Sequence, residues 1–332
     1  MKKHIALGLS ICLILFSFLS CEKKAPTPKA GTASPADMLN LLPADSQGVL
    51  FADIHKAMSI EAVSSSIEKQ ENSKKYFEFI EKTGVDPKND IYFIAASISA
   101  KGPDSLQKMA AVINLKYNKD SLLEFIKTKT QEEEEQEITE VDYNGVTIYT
   151  MEQDDEKSGF SFLDESNIVA GNLEGIQSVL DIVNGQKDNI YKNQELSNLL
   201  KETNKDTLFW GAFLVPQEAV EEASVQNPML QSLKSVSAVI MNFDYQNKSM
   251  LIDIDLKSSD PEKNEQLATA LNGIKGIASM SAQEKPEIGE LMNKIQVTSG
   301  DEGVKVSANI PEELIKKITE SSKAEETKET EK

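Results

Sequence analysis

Residues 205–214 read KDTLFWGAFL, and residues 45–54 read DSQGVLFADI. Each is a short polar lead-in followed by an almost unbroken apolar run with aromatic and β-branched members, the pattern of a strand buried on both faces. The segments downstream of the two runs are also alike. After Ile54 the spacing predicts a helix over 60–82, with Ala62, Val63, Ile67, Tyr76, Phe77, Phe79 and Ile80 on one broad face and Gly84 as its stop. Strands are predicted at 91–99 and 109–117, then a helix from Asp120 or Ser121 to about Lys129, then a hairpin about Asn144-Gly145, the dipeptide that two-residue turns prefer. After Leu214 come a helix from Pro216, strands at 236–244 and 250–256 about Gln246-Asn247, and helix over 261–294 broken near Gly273 or Pro286. Strands at 295–298 and 304–309 then flank Gly300–Gly303. The fold class is therefore α+β: two diverged repeats, each an antiparallel sheet covered by helices, with the hairpin at Asn144 answering the one at Gly300.

The first unit carries extra elements. Strands are expected at 160–163 and 168–170, and a helix from Asn172 or Leu173 to Val183, ended by Gly185. A short helix about Leu196, Leu199 and Leu200 serves as the join between halves. The division that results is 1–20 leader, 21–37 flexible tether, 38–190 first repeat, 191–320 second repeat and 321–332 a charged, disordered tail.

The leader has its own grammar. Lys2 and Lys3 precede an apolar run, Ile5 to Leu19, that falls short of the roughly 20 residues a spanning helix needs. Phe18-Leu19-Ser20-Cys21 closes it. That tetrad resembles a bacterial lipobox, with Phe18 in place of the usual aliphatic residue. The resemblance implies that Cys21 carries a diacylglycerol and becomes the N-terminus, tethering the body to the cell membrane or the outer membrane. The stretch 22–35, EKKAPTPKAGTASP, is rich in Pro, Ala and Lys and reads as a spacer.

Composition excludes several classes of function. The 35 basic residues are all lysine, so the arginine fork that grips phosphate or carboxylate is missing. A net charge of −19, falling to −21 once Lys2 and Lys3 leave with the leader, repels nucleic acid. Neither nucleotide nor nucleic acid is an expected partner. Cys12 and His4 lie in the leader, so Cys21 and His55 are the last of their kinds. No intrachain disulfide, zinc site of cysteine and histidine, or Cys-His pair can then be assembled. No cofactor and no metal ligand is assigned, and the acidic runs Glu132–Glu135 and Asp154–Glu156 read as solvated connections without the interleaving of a calcium loop.

Three constellations could carry chemistry. Asp53 and His55 fall on one side if the first strand continues past Ile54, the sole acid–imidazole neighbours available. Asp253 and Asp255 share one face of the strand at 250–256, away from Ile252 and Ile254, and read as a solvent-facing surface. Trp210 sits in a continuous apolar run and reads as core.

Leu41-Leu42-Pro43-Ala44-Asp45-Ser46 before a buried strand, with the turn Thr83-Gly84-Val85-Asp86-Pro87 after the helix, is similar to secreted bacterial families that open with LPADS or LPADT. The resemblance implies an exported, duplicated α+β body without an assigned activity. The expected function is a membrane-anchored, non-catalytic lipoprotein of the cell envelope, bound to the bilayer through acylated Cys21 and to an envelope or extracellular protein. The rivals are a carrier or chaperone for an apolar ligand and, more remotely, a carboxylate-based hydrolase.

Overall fold

A computed structural model describes residues 27–69, 73–102, 105–134, 137–153, 156–226, 228–281 and 285–330. The leader and Cys21 lie outside the described residues. The helices are α1 (Pro35–Leu39), α2 (Ile54–Met58), α3 (Glu61–Lys69), α4 (Ser73–Thr83), α5 (Pro87–Asp90) and α6 (Lys119–Glu134). They continue with α7 (Leu173–Val183), α8 (Gln194–Glu202), α9 (Gln217–Gln226), α10 (Pro261–Ser281), α11 (Pro286–Lys294) and α12 (Glu312–Thr330). The strands are β1 (Gly48–Asp53), β2 (Ile91–Gly102), β3 (Ser105–Leu115), β4 (Thr139–Tyr143), β5 (Val146–Gln153) and β6 (Glu156–Phe162). They end with β7 (Asn167–Asn172), β8 (Phe209–Leu214), β9 (Ala238–Gln246), β10 (Ser249–Lys257), β11 (Ile295–Gly300) and β12 (Gly303–Pro311).

All twelve strands form one antiparallel sheet in the order β11-β12-β10-β9-β8-β1-β2-β3-β7-β6-β5-β4. The two apolar runs, now β1 and β8, meet at its centre, where Phe51 lies opposite Trp210 and Val49 opposite Ala212. The sheet therefore runs unbroken across the division expected at 190/191. Outward from that seam, β1 is followed by β2, β3, β7 and β6, and β8 by β9, β10, β12 and β11. This corrects the expected match of closing hairpins. β12 lies beside β10 as β7 lies beside β3, so the hairpin at Gly300 stands in the place of β6–β7. The Asn144-Gly145 hairpin lies instead at the far end of the sheet, extending it to β4. Sequence order concealed this because β3 and β7 pair across more than fifty intervening residues.

Alternation assigns the cores to faces. On the front face, Val49, Phe51, Ala95, Val112, Ile148, Val169, Trp210 and Ala212 pack under Met38–Leu42 and residues of α7 and α8. On the back face, Tyr149, Phe160 and Ile168 pack under Val85 and Leu122, while Val304 packs under Leu267 and Ala268 of α10. Beyond β9 the front face carries Asp253, Asp255 and Lys305 and, among the described residues, no helix-covered core. Two junctions show how local chemistry fixes these layers. Asn172 caps α7 by accepting from Gly175 N at 3.0 Å, and the same side chain accepts from Met109 N at 3.0 Å and donates to Gln107 O at 3.1 Å. One residue thus ties β7, β3 and α7 together. At the centre, a Cβ on Gly48 would fall inside the van der Waals shell of Phe213, whose ring covers it from the neighbouring strand.

Four further expectations are revised. The tether is structured from residue 27: Pro28 O accepts from Asn167 Nδ2 at 2.6 Å, Gly31 N donates to Asn114 Oδ1 at 3.3 Å, and a capping box of Ser34 and Asp37 starts α1. The tail is helical to Thr330, in keeping with the high helix propensity of its Ala, Glu and Lys. The helix predicted over 60–82 is two, α3 and α4, and the break in 261–294 falls before Pro286, with Gly273 inside α10. The turn between β9 and β10 is Asn247-Lys248, both with positive φ (51° and 58°), one residue later than expected.

Candidate functional site

The back face offers a roomy depression. It is a groove of ≈ 1000 Å³ between α3 and α12, closed at one end by the β9–β10 hairpin. Ile60, Ala62 and Val63 line one wall, Ile315 the other, and Met250 the floor. Met250 keeps 36% of its surface exposed, an apolar side chain left open to whatever enters. Glu61, Lys248, Lys316 and Glu320 stand around the lining.

The groove is built by the hairpin. The Asn247-Lys248 turn lets Lys248 O accept from Glu312 N at 2.8 Å, which fixes the first turn of α12 beside the strands. The Tyr245 hydroxyl then donates to Glu312 Oε2, and Lys316 Nζ, one helical turn on, pairs with Glu312 Oε1. The bond to Glu312, aided by burial, raises the Tyr245 hydroxyl to about 12. Lys316 and Tyr245 hold the Glu312 carboxyl below its usual range, and Glu312 raises Lys316 in turn. These charges satisfy one another. Their arrangement anchors a helix; it presents no free acid, base or nucleophile to the groove.

The residues singled out in the sequence lie elsewhere. β1 stops at Asp53, whose carboxylate caps α2 by accepting from Lys56 N at 2.8 Å. The strand does not continue, so Asp53 and His55 are not brought together as a pair; His55 is exposed, its ring 5.6 Å from that of Tyr92. Asp253 pairs with Lys305 at 2.9 Å on the open front face, two residues from Asp255. Trp210 is fully buried and stacks on Phe51 with centroids 5.1 Å apart, and its Nε1 has no hydrogen-bond partner among the described residues. Glu132 closes α6 with an ion pair to Lys129 at 3.3 Å. No group of three or more His, Cys, Asp or Glu able to hold a metal occurs among the described residues. No described helix is long and apolar enough to cross a membrane.

Residues 93–287, from β2 to the start of α11, match the family described as a protein of unknown function, DUF3352. The chain belongs to that family. The match spans more than half of the chain and begins after the LPADS stretch and the Thr83–Pro87 turn. No curated protein matches the chain. Among solved structures it is similar to TP0453 in crystal form III, at 11% identity and a TM-score of 0.47, over 84% of this chain and 96% of that one. It is also similar to crystal form I of TP0453, at 10% identity and a TM-score of 0.44, over 86% and 97%.

Proposed function

We propose that this DUF3352 member is a non-catalytic binding protein of the cell envelope, anchored through lipid on Cys21, that takes an apolar segment into the groove between α3 and α12. The groove carries the reading. Its walls and floor are Ile60, Ala62, Val63, Ile315 and Met250, and of the titratable groups beside it Tyr245, Glu312 and Lys316 are spent on holding α12. An open, apolar-floored depression with a charged margin is the form a binding site takes when partner chemistry is hydrophobic and orientation is set at the edge. Asp253 and Asp255, the acidic pair singled out in the sequence, lie on the opposite face with Asp253 tied to Lys305.

Anchorage and binding are tested separately. Replacing Cys21 by Ala is expected to move the protein from the detergent phase to the soluble envelope fraction, or to leave its leader uncut; unchanged partitioning overturns the anchor. The neutral dye phenylnaphthylamine should brighten on binding the folded chain and be displaced by apolar competitors. Absence of any brightening overturns the groove.

A further inference from the structure

The sheet has two edges, and they are built differently. On β4 the pair Tyr143–Val146 closes the Asn144-Gly145 turn, so alternation directs the N–H and C=O of Glu140 and Asp142 outward. Both carry carboxylates, and Lys127 of α6 reaches Glu140 at 2.9 Å. An incoming strand meets charge there, the usual guard on an edge. On β11 the pair Gly300–Gly303 closes the Asp301-Glu302 turn, so Val297 and Ser299 direct their N–H and C=O outward. That strand reads IQVTSG: no charge, no proline, and an unshifted register along β12. Among the described residues no strand pairs with its outer edge. Among the described residues only Ile295 O at its start is capped, by Lys275 Nζ at 2.8 Å.

We propose that β11 is a dimerisation edge, on which a second copy of this chain adds its own β11 antiparallel about a two-fold axis at Thr298. In that register Val297 and Ser299 of each copy exchange four N–H···O=C bonds, and Thr298 faces its counterpart, a favourable cross-strand pair. The occupant follows from charge. In a chain of net charge −19, self-association must find a surface where no like charges oppose, and β11 supplies one that β4 does not. A neighbouring helix completes the surface. α10 runs beside β11 between Asn264, which donates to Gly300 O at 2.8 Å, and Lys275 at Ile295. Next to the second contact it exposes 44% of Ile274 and, one turn and a half on, 76% of Met280. A two-fold axis normal to the sheet keeps like faces together, so the α10 helices lie on one side. It also puts both N-terminal segments, docked on front-face Asn114 and Asn167, on the other side, the arrangement that the proposed lipid anchors on one bilayer require.

Thr298 and its counterpart form a non-hydrogen-bonded pair, with Cα atoms about 4.5 Å apart, inside the reach of a disulfide. Gln296 sits two residues off the axis, about 13 Å from its own counterpart. The test is oxidation of the full-length chain in its membrane, carrying Thr298→Cys or Gln296→Cys, with the unsubstituted chain as the blank. Thr298→Cys should give a band of twice the chain mass, and Gln296→Cys should not. Thr298→Lys and Thr298→Glu should each lose self-association, and mixing the two should restore it. Equal cross-linking of the two cysteine variants, no cross-link in either, or a Thr298→Cys adduct to a different protein each overturns the proposal.

Discussion

Removing the Phe51 ring tests whether the central seam holds the whole sheet. Phe51 is 1% exposed, stacks on Trp210 at 5.1 Å and meets Phe93 at 5.6 Å. Truncating a buried phenylalanine costs about 3–5 kcal/mol. Two aromatic partners left facing a cavity put Phe51→Ala at the upper end of that range. The control is Phe77→Ala, at a side chain 57% exposed, for which about 1 kcal/mol or less is expected. Trp210 is the sole tryptophan, so urea unfolding followed by its fluorescence reports on the seam, and far-UV circular dichroism reports on the whole chain. With β1 and β8 paired at the centre of a single sheet, the two transitions should coincide, and both midpoints should fall in Phe51→Ala with the slope unchanged. A cost below about 1 kcal/mol, or a dichroism transition that stays put while fluorescence moves, would refute the argument.

Two other outcomes are expected. Tyr245 is raised to about 12 by its bond to Glu312 and Tyr143 is raised mainly by burial, so the folded state holds protons that the unfolded chain releases near 10.0. Their contribution is complete below the unfolded value and is lost as pH rises towards the folded one. Urea midpoints should therefore decline above pH 10, and by less in Tyr245→Phe. Asn172→Ala removes a helix cap, which alone costs about 1 kcal/mol. It also strips Met109 N of its partner, so the loss should exceed that of Asp53→Ala, whose side chain makes the cap bond alone; equal midpoints in thermal melts would contradict the tie between β7, β3 and α7.

Local chemistry made much of the fold legible. The runs at 49–53 and 209–214 are strands because their apolar stretches leave no wet face, and Asn144-Gly145 turns where its positive φ values demand it. Trp210 was readable as core for the same reason. Pairings between distant strands were not, since nothing in 105–115 or 167–172 names its partner, and the closing hairpins were matched by order alone. The stop of β1 at Asp53 was written as a cap three residues before Lys56, a signal that strand alternation masked. The groove was hidden most fully. Its walls come from residues 60–65, its floor from 245–250 and its far side from 312–320, and each segment by itself is an ordinary amphipathic helix or strand. The one available cue was Ile315 and Thr319 in a helix that returns beside the Asn247-Lys248 turn.

The groove itself is open to one direct measurement. Met250→Glu and Ile315→Glu put a carboxylate on its floor and its α12 wall, at side chains that belong to none of the buried cores. Titrating phenylnaphthylamine into each folded variant and into the unsubstituted chain compares groove binding at matched stability. Binding weakened tenfold or more in both variants, about 1.4 kcal/mol each, is the predicted result. Affinity unchanged in both, with the variants as stable as the parent, would mean that apolar ligands enter elsewhere and that the proposed binding role of this groove is wrong.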